Sequence, residues 1–315
     1  MNISIVIPNY NGEEILEKNL TAVLHILSKY HKGEKELIVV DDASKDGSIP
    51  LIKKLFDNHK EPSVTTHFLE NTKNLGFAPT VNRGVEKAKG DIIILLNTDV
   101  VPESNFLEPL LSHFVDKTVF AVGCLERSIT GDKIDLYGRG VGEWRDGFLA
   151  HRAGDVKGKK TLWVSCGSGA FRKTMWDKLG GLNEVYAPYY WEDIDLSYRA
   201  LKCGYRVLFD PQSVVTHRHT EGAIKKTQKA SHIQSIVVRN QFLFAWNNLT
   251  DSMIILNHLT ALPLHLAHAV ADGNVSFIKG FFKALFKVNQ VFTYRSKMKK
   301  KFVKTDNQVI MEVGN

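Results

Sequence analysis

The sequence predicts an α/β fold, a mostly parallel central sheet flanked by helices, followed by a helical C-terminal segment. Three observations carry that prediction. Over the first hundred residues short apolar runs alternate with amphipathic stretches, the pattern of βαβ units. Ile92 to Leu96 is apolar without interruption and has no polar face, which suits a strand covered on both sides. Polar and acidic residues crowd where the apolar runs stop, at the strand ends where open α/β sheets bind ligands.

The elements follow in order. Ile3–Ile7 is expected as a strand, Glu13–Tyr30 as a helix and Glu36–Val40 as a second strand. Ile49–Asn58 is a helix, Val64–Leu69 a strand, Pro79–Ala88 a helix and Asp91–Leu96 a strand. Arg127 to Lys160 is rich in glycine and charge with weak periodicity, a long excursion or small β insert. Regular structure is expected to resume at Thr161–Cys166. A helix over Lys173–Leu179 stops at Gly180-Gly181, and a second covers Glu192–Cys203. Arg206–Phe209 and Ser213–Thr216 look strand-like, and after Gly222 the character is helical.

Length and composition narrow the class. The 315 residues are enough for one large domain with an appendage, and 43% hydrophobic with 24% charged residues is an ordinary globular composition. Three cysteines, Cys124, Cys166 and Cys203, have no metal-type spacing and fit a reducing, cytoplasmic setting. The first residues, MNISIVIPNYNG, lack the basic n-region of a secretion signal. The net charge of +7 is local: between Gly273 and Lys304 there are nine basic residues and no acid, while residues 1–272 are balanced. A neutral body argues against nucleic acid as a partner, and the basic segment points to an anionic surface.

Four constellations can carry chemistry. Strand one runs into Pro8-Asn9-Tyr10-Asn11-Gly12 and strand two into Asp41-Asp42-Ala43-Ser44, so the two loops lie side by side. A carboxylate there can accept from a ribose or a base, and Tyr10 can stack; Asp46 and Ser48 are better explained as a helix cap. Asn74-Leu75-Gly76 permits close backbone approach, and Asn82 or Arg83 on the next helix can face a phosphate, although taken singly a plain loop and helix is the better explanation. Asn97-Thr98-Asp99 ends the buried strand with oxygen donors that suit Mg²⁺ or Mn²⁺ and, through the metal, a diphosphate. The plain alternative is a polar strand end before a proline-initiated helix. Finally Tyr189-Tyr190-Trp191-Glu192-Asp193 sets aromatics before carboxylates at a helix start. The helix dipole explains part of this; a sugar face at Trp191 and Glu192, with Asp193 as general base, explains the rest. Asp195 and Arg199 are spaced to pair along the helix. Gly169, in Cys166-Gly167-Ser168-Gly169-Ala170, lets backbone approach a ligand, and His217 or His219 could add a metal ligand.

The segments SIVIPNYNG, ELIVVDDASKDGS, NLGFAPTVNRGVEKAKGD, IILLNTDV, GSGAFRK, LGGLNE, YWEDIDLSYRALKCGYRV and VVTHRH, in this order, resemble glycosyltransferase family 2, and within it bacterial rhamnosyltransferase-like members that build cell-surface polysaccharide. The resemblance covers about residues 1–245. It implies a GT-A fold, a nucleotide-diphosphate sugar donor (a UDP-, dTDP- or GDP-sugar), a divalent metal and inversion at the anomeric carbon. It places Asp41 and Asp42 at the nucleoside, Asp99 and His217 at the metal and Asp193 as the base. Asn97 departs from the first aspartate of the family's D-x-D pattern and leaves open how many ligands the protein gives the metal. A nucleotidyltransferase would want a glycine-rich, basic first loop, which PNYNGEE is not. A catalytically weak nucleotide-sugar-binding scaffold on the membrane is the remaining alternative.

The division expected is a catalytic domain over 1–245, a helical, basic amphipathic, membrane-associating region over 246–304 and a tail over 305–315. Met253 to Ala271 has no charged residue and nearly the length to span a bilayer. Asn257, His258, Pro263, His265 and His268 make it a poor spanning helix, and packing on the body explains it as well. Lys279, Lys283 and Lys287 recur every four residues opposite Phe281, Phe282, Leu285 and Phe286, which together with Lys297–Lys301 suits an anchor on anionic lipid. The expected location is the cytoplasmic face of the inner membrane, with a glycan or lipid-linked glycan as acceptor.

Overall fold

The structure, a computed structural model, describes residues 1–59, 63–218 and 229–314. The first hundred residues build the βαβ frame: β1 (Ile3–Asn9), α1 (Glu13–Ser28), β2 (Lys35–Asp41), α2 (Ser48–Asp57), β3 (Thr65–Glu70), α3 (Phe77–Lys87) and β4 (Ile92–Leu96). Every residue of β4 is fully buried, so each large apolar side chain there contributes roughly 1.5–3 kcal/mol. The apolar faces of α1 and α3 cover opposite sides of this sheet.

After Asp99 the chain does not turn into a proline-initiated helix. It adds a short strand, β5 (Val100–Pro102), and α4 begins only at Leu107 and runs to Ser112. The excursion is an ordered β insert: β6 (Val119–Thr130) folds back on β7 (Lys133–Tyr137), and β8 (Gly140–Arg145) pairs with β9 (Phe148–Ala153) in a separate two-stranded sheet. Thr161–Cys166 is irregular, and the strand expected there is displaced to β10 (Ser168–Arg172). The two glycines of the GSGA segment are why this strand does not look like one in sequence. A side chain on Gly169 would meet Val164 and the Ser165 carbonyl, so close packing, not turn geometry, selects glycine there.

α5 (Lys173–Leu179) stops at Gly180, whose φ of +80° gives the left-handed cap that glycine adopts without strain. α6 (Glu192–Lys202) follows, then β11 (Arg206–Arg218), one strand where two short runs were expected; a register shift between Asp210 and Val214 separates them. The large sheet runs in the order β3-β2-β1-β4-β10-β6-β11-β5, with β7 beside β6. The β3-β2-β1-β4 half is parallel, and β10 enters antiparallel between β4 and β6.

Among the described residues, five helices close the chain: α7 (Ala230–Asn248), α8 (Ser252–Ala271), α9 (Val275–Leu285), α10 (Val288–Lys299) and α11 (Asp306–Val313). They pack against the body. Phe242 of α7 lies 5.0 Å from Phe148 of β9 and 5.2 Å from Phe281 of α9, ring centre to ring centre. The last helix is clamped by a fully buried ion pair, Lys202 Nζ to Asp306 at 2.7 Å. Asp306 also accepts from Tyr198 Oη at 2.8 Å and from the backbone N–H groups of Thr250 and Asp251.

Candidate active site

Asp41 and Asp42 stand at the carboxyl end of β2, and both are buried. Asp41 accepts from the Ser44 N–H at 2.8 Å, the Ser44 hydroxyl at 2.7 Å and Asn9 Nδ2 at 2.7 Å. It therefore shapes its own loop and ties it to the end of β1. Asp42 accepts from Asn71 Nδ2 at 2.7 Å and from the N–H groups of Leu75 at 2.8 Å and Gly76 at 2.9 Å. Its carboxylate folds the 74–76 loop back over the sheet edge. Gly76, at φ +89°, is pressed against Pro188, where a Cβ would lie 2.9 Å from Pro188 Cα. The Phe77 N–H donates to the Pro188 carbonyl at 2.9 Å, so the loop over β2 touches the loop that leads into α6.

At the end of β4 the Asn97 N–H donates to the Gly167 carbonyl at 2.9 Å. The Asn97 amide also occupies the space a Gly167 side chain would take. Thr98 turns back, its hydroxyl donating to the Pro8 carbonyl at 2.9 Å. Asp99 meets His217 of β11, Nε2 to Oδ2 at 3.1 Å. The far nitrogen of the same ring, Nδ1, lies 2.9 Å from Glu126 of β6. Burial acts to lower the His217 pKa, but the bonds to Asp99 and Glu126 outweigh it and bring it to about 10. His219, the alternative histidine, lies outside the described residues.

The third part is the start of α6. Tyr190 and Trp191 both have φ above +70°, a left-handed pair that non-glycine residues rarely adopt. The segment is held from outside: Asn240 Nδ2 donates to the carbonyls of Tyr186, Tyr189 and Tyr190 at 2.8–2.9 Å, and Arg239 to those of Tyr186 and Ala187. Glu192 is buried, and its Oε2 has no hydrogen-bond partner. Asp193 is partly open and accepts from the Ile194 N–H at 2.8 Å. Burial raises the pKa of both carboxyls, and the charge of Asp193 pushes Glu192 up further. Burial also raises Cys166 well above an ordinary thiol, and the charges of Asp193 and Glu192 add to it. Cys166 thus stands within electrostatic reach of Glu192 and Asp193, and the next residue, Gly167, is bonded to Asn97.

Several residues singled out in the sequence do structural work. Asn82 exchanges two hydrogen bonds with the Leu182 backbone, both 2.9 Å, and locks the loop after α5. Arg83 donates to Asn71 and to the Glu70 carbonyl. Trp191 is buried, with ring contacts to His151 and Phe244, and Gly169 lies inside β10. Tyr10 and Asn74 are exposed on the two loops. Sequence alone missed Asn71, Ser44, Glu126, His151 and Asn240, because their roles depend on partners far along the chain.

Residues 4–180 match the model of Glycosyl transferase family 2. The chain is 27% identical over 225 residues to the O-antigen chain rhamnosyltransferase RfbN of Salmonella typhimurium, covering 70% of this chain and 67% of that protein. Its fold is similar to that of GalNAc-T7 solved with UDP, GalNAc and Mn²⁺ (TM-score 0.64, 19% identity, 80% of this chain and 48% of that one). It is also similar to the mannosyltransferase PcManGT from Pyrobaculum calidifontis in complex with GDP-Man and Mn²⁺ (TM-score 0.57, 19% identity, 95% of this chain and 85% of that one). The chain thus spans about two thirds of the first relative's length and about half of GalNAc-T7.

Proposed function

The chain belongs to glycosyltransferase family 2 and is a glycosyltransferase of GT-A fold, and from that premise we propose that it transfers a sugar, with inversion, from a nucleoside diphosphate donor to a hydroxyl of a glycan or lipid-linked glycan. The relation to an O-antigen rhamnosyltransferase supports a place in cell-surface polysaccharide synthesis. UDP-, dTDP- and GDP-sugars are all open as donors. The expected setting is the cytoplasmic face of the inner membrane. The observation that carries the reading is the set of carboxylates at the carboxyl ends of the parallel strands, Asp41 and Asp42 after β2 and Asp99, bonded to His217, after β4.

Each group then has a task. Asp41 and Asp42, with Pro8, Tyr10, Asn74 and Gly76 around them, form the nucleoside end, and Arg83, Asn97 and Thr98 border it. Asp193 takes the proton from the attacking acceptor hydroxyl. Its raised pKa brings it nearer to working pH, which suits a general base. Glu192 beside it keeps the pair from ionising together at low cost.

Asp99 offers a carboxylate oxygen that fits Mg²⁺ or Mn²⁺, and His217 would add an imidazole nitrogen beside it once the ion displaced the proton it shares with Asp99. Glu126 holds the opposite ring nitrogen and so orients the ring. Asp99 and His217 are the protein ligands proposed, with Asn97 open as a third. Such an ion, when bound, neutralises the departing diphosphate.

The test is thermal unfolding with UDP-, dTDP- and GDP-sugars, each with and without Mn²⁺. One nucleotide class should raise the midpoint, more with Mn²⁺ than without, and Asp99→Ala should remove the metal-dependent part. If none of the panel moves the midpoint, the donor assignment fails; if Asp99→Ala keeps the full Mn²⁺ increment, the metal assignment fails.

A further inference from the structure

Helix α8 is apolar on both faces. Ile254, Leu262 and Ala269 pack inward, and two of its histidines turn inward with them. His258 and His265 made Ser252–Ala271 a poor spanning helix by sequence, yet both point inward. His258 donates from Nδ1 to the Gly147 carbonyl at 2.7 Å and accepts from Trp246 Nε1 at 3.0 Å. Those two bonds assign the neutral tautomer. His265 Nε2 donates to the Asp146 carbonyl at 2.8 Å. Gly147, at φ +78°, brings the β8–β9 turn so close that a Cβ would lie 2.6 Å from His258 Cα.

The outward face is mostly apolar, with Asn257, Thr260 and His268 also exposed on it. Met253, Leu256, Leu259, Leu264, Ala267 and Val270 recur at helical spacing and are exposed, Met253 at 71%, Leu264 at 64% and Val270 at 68%. Helix α8 carries no Asp, Glu, Lys or Arg. Across Gly273 the outward face of α9 continues the theme. Val275, Lys279, Phe282 and Phe286 share one side at spacings of four, three and four, with Phe286 88% exposed. Sequence put Phe282 and Phe286 opposite the lysines; in the structure Lys279 stands among them. Lys283 and Lys287 instead turn to the body and donate to Ser235 Oγ at 3.2 Å and the Val185 carbonyl at 3.0 Å. Lys297, Lys299 and Lys300 of the next helix and its end are exposed, and no acid occurs from Gly273 to Lys304.

Two consecutive helices expose apolar rows and carry no acid of their own; with exposed Lys279, Lys297, Lys299 and Lys300 following and Asp272 the one acid between them, they match an anionic bilayer surface in polarity and charge. We infer that α8 lies flat on an anionic membrane, its outward apolar row in the acyl boundary and His258 and His265 gripping the β8–β9 hairpin. It does not cross the bilayer, because its inward side is committed to Gly147, Asp146 and Trp246. The inference rests on the membrane-surface reading of the basic segment and moves the main contact from the lysines to α8. It also gives the contact a route to the reaction. Phe148, next to the gripped turn, packs 5.0 Å from His258, and His151 on the same strand packs 5.0 Å from Trp191, which leads into Glu192 and Asp193.

The experiment is flotation of the full chain with vesicles of phosphatidylcholine alone or mixed with phosphatidylglycerol. The unmodified protein should float with the anionic vesicles. Leu256→Glu/Leu264→Glu should lower the bound fraction at least about tenfold, since both charges would enter the acyl boundary, while its unfolding midpoint stays close to that of the parent. Phe282→Glu/Phe286→Glu should lower it less. If the parent floats and the α8 variant floats equally, the assignment of α8 is overturned while the anionic-surface reading stands. If the parent does not float, both are overturned. If the parent stays at the bottom as a dimer that the α8 variant converts to a monomer, the face is a contact between copies.

Discussion

One turn of helix α6 holds buried carboxylates in two opposite conditions. Asp195 is fully matched: Arg199 Nε at 2.7 Å, Tyr186 Oη at 2.9 Å and Asn248 Nδ2 at 2.8 Å all donate to it. Arg199 in turn donates to the carbonyls of Leu179 and Gly181, so the pair pins the end of α5 to α6. Glu192 and Asp193, three and two residues earlier, have no such cation among the described residues, and Glu192 Oε2 has no hydrogen-bond partner there. Sequence position and residue type hardly differ, and the helix dipole favours all three. Their partners separate them. The matched carboxylate holds the fold, and the unmatched pair is left with proton affinity that chemistry can use.

The largest expected effect tests the unmatched side. Asp193→Asn should lower sugar transfer by at least ~10²-fold, the low end for loss of a general base, with donor affinity within about twofold of the parent and no loss of thermal stability. Initial-rate kinetics with donor binding measured on the same preparation would check this. Near-normal turnover would remove Asp193 as the base and erase the functional half of the contrast. On the matched side, Asp195→Asn should cost stability on the order of 3–5 kcal/mol, because it leaves the Arg199 guanidinium buried without its countercharge. Chemical denaturation reads that loss. If Asp195→Asn unfolds like the parent but has lost activity, the two carboxylates have been assigned the wrong way round.

The contrast was partly legible in the sequence. Four-residue spacing announced the Asp195–Arg199 pair, and the aromatic run before Glu192 marked the helix start as unusual. Asp99 was legible as the end of an apolar run, and His217 as the end of another. Less legible was anything that depends on a partner far along the chain. Asn82 looks like a phosphate contact until Leu182 is seen to fill both its amide positions. Trp191 looks like a sugar platform until His151 and Phe244 cover it. Gly169 reads as a loop because a paired strand with glycines loses its pattern. His258 and His265 counted against a lipid-facing helix because composition does not say which way a side chain points.

The smallest effect is the one that isolates Glu192. Burial, then the charge of Asp193, raise its folded pKa above the ordinary 4.5, and burial raises Asp193 as well. Between the ordinary and the raised values the native state keeps protons that the unfolded chain has already released. The unfolded state then binds fewer protons, so stability is complete below pH ~4.5 and declines as pH rises through the folded pKa values of the pair. Glu192→Gln cannot ionise and should flatten that decline. It should match the parent near pH 4 and exceed it by on the order of 1 kcal/mol near pH 8, the scale for relieving one unsatisfied buried group. Unfolding midpoints of both proteins across that range would show it. An undiminished decline in Glu192→Gln would mean that another group carries the pH dependence and that Glu192 is as settled in its site as Asp195.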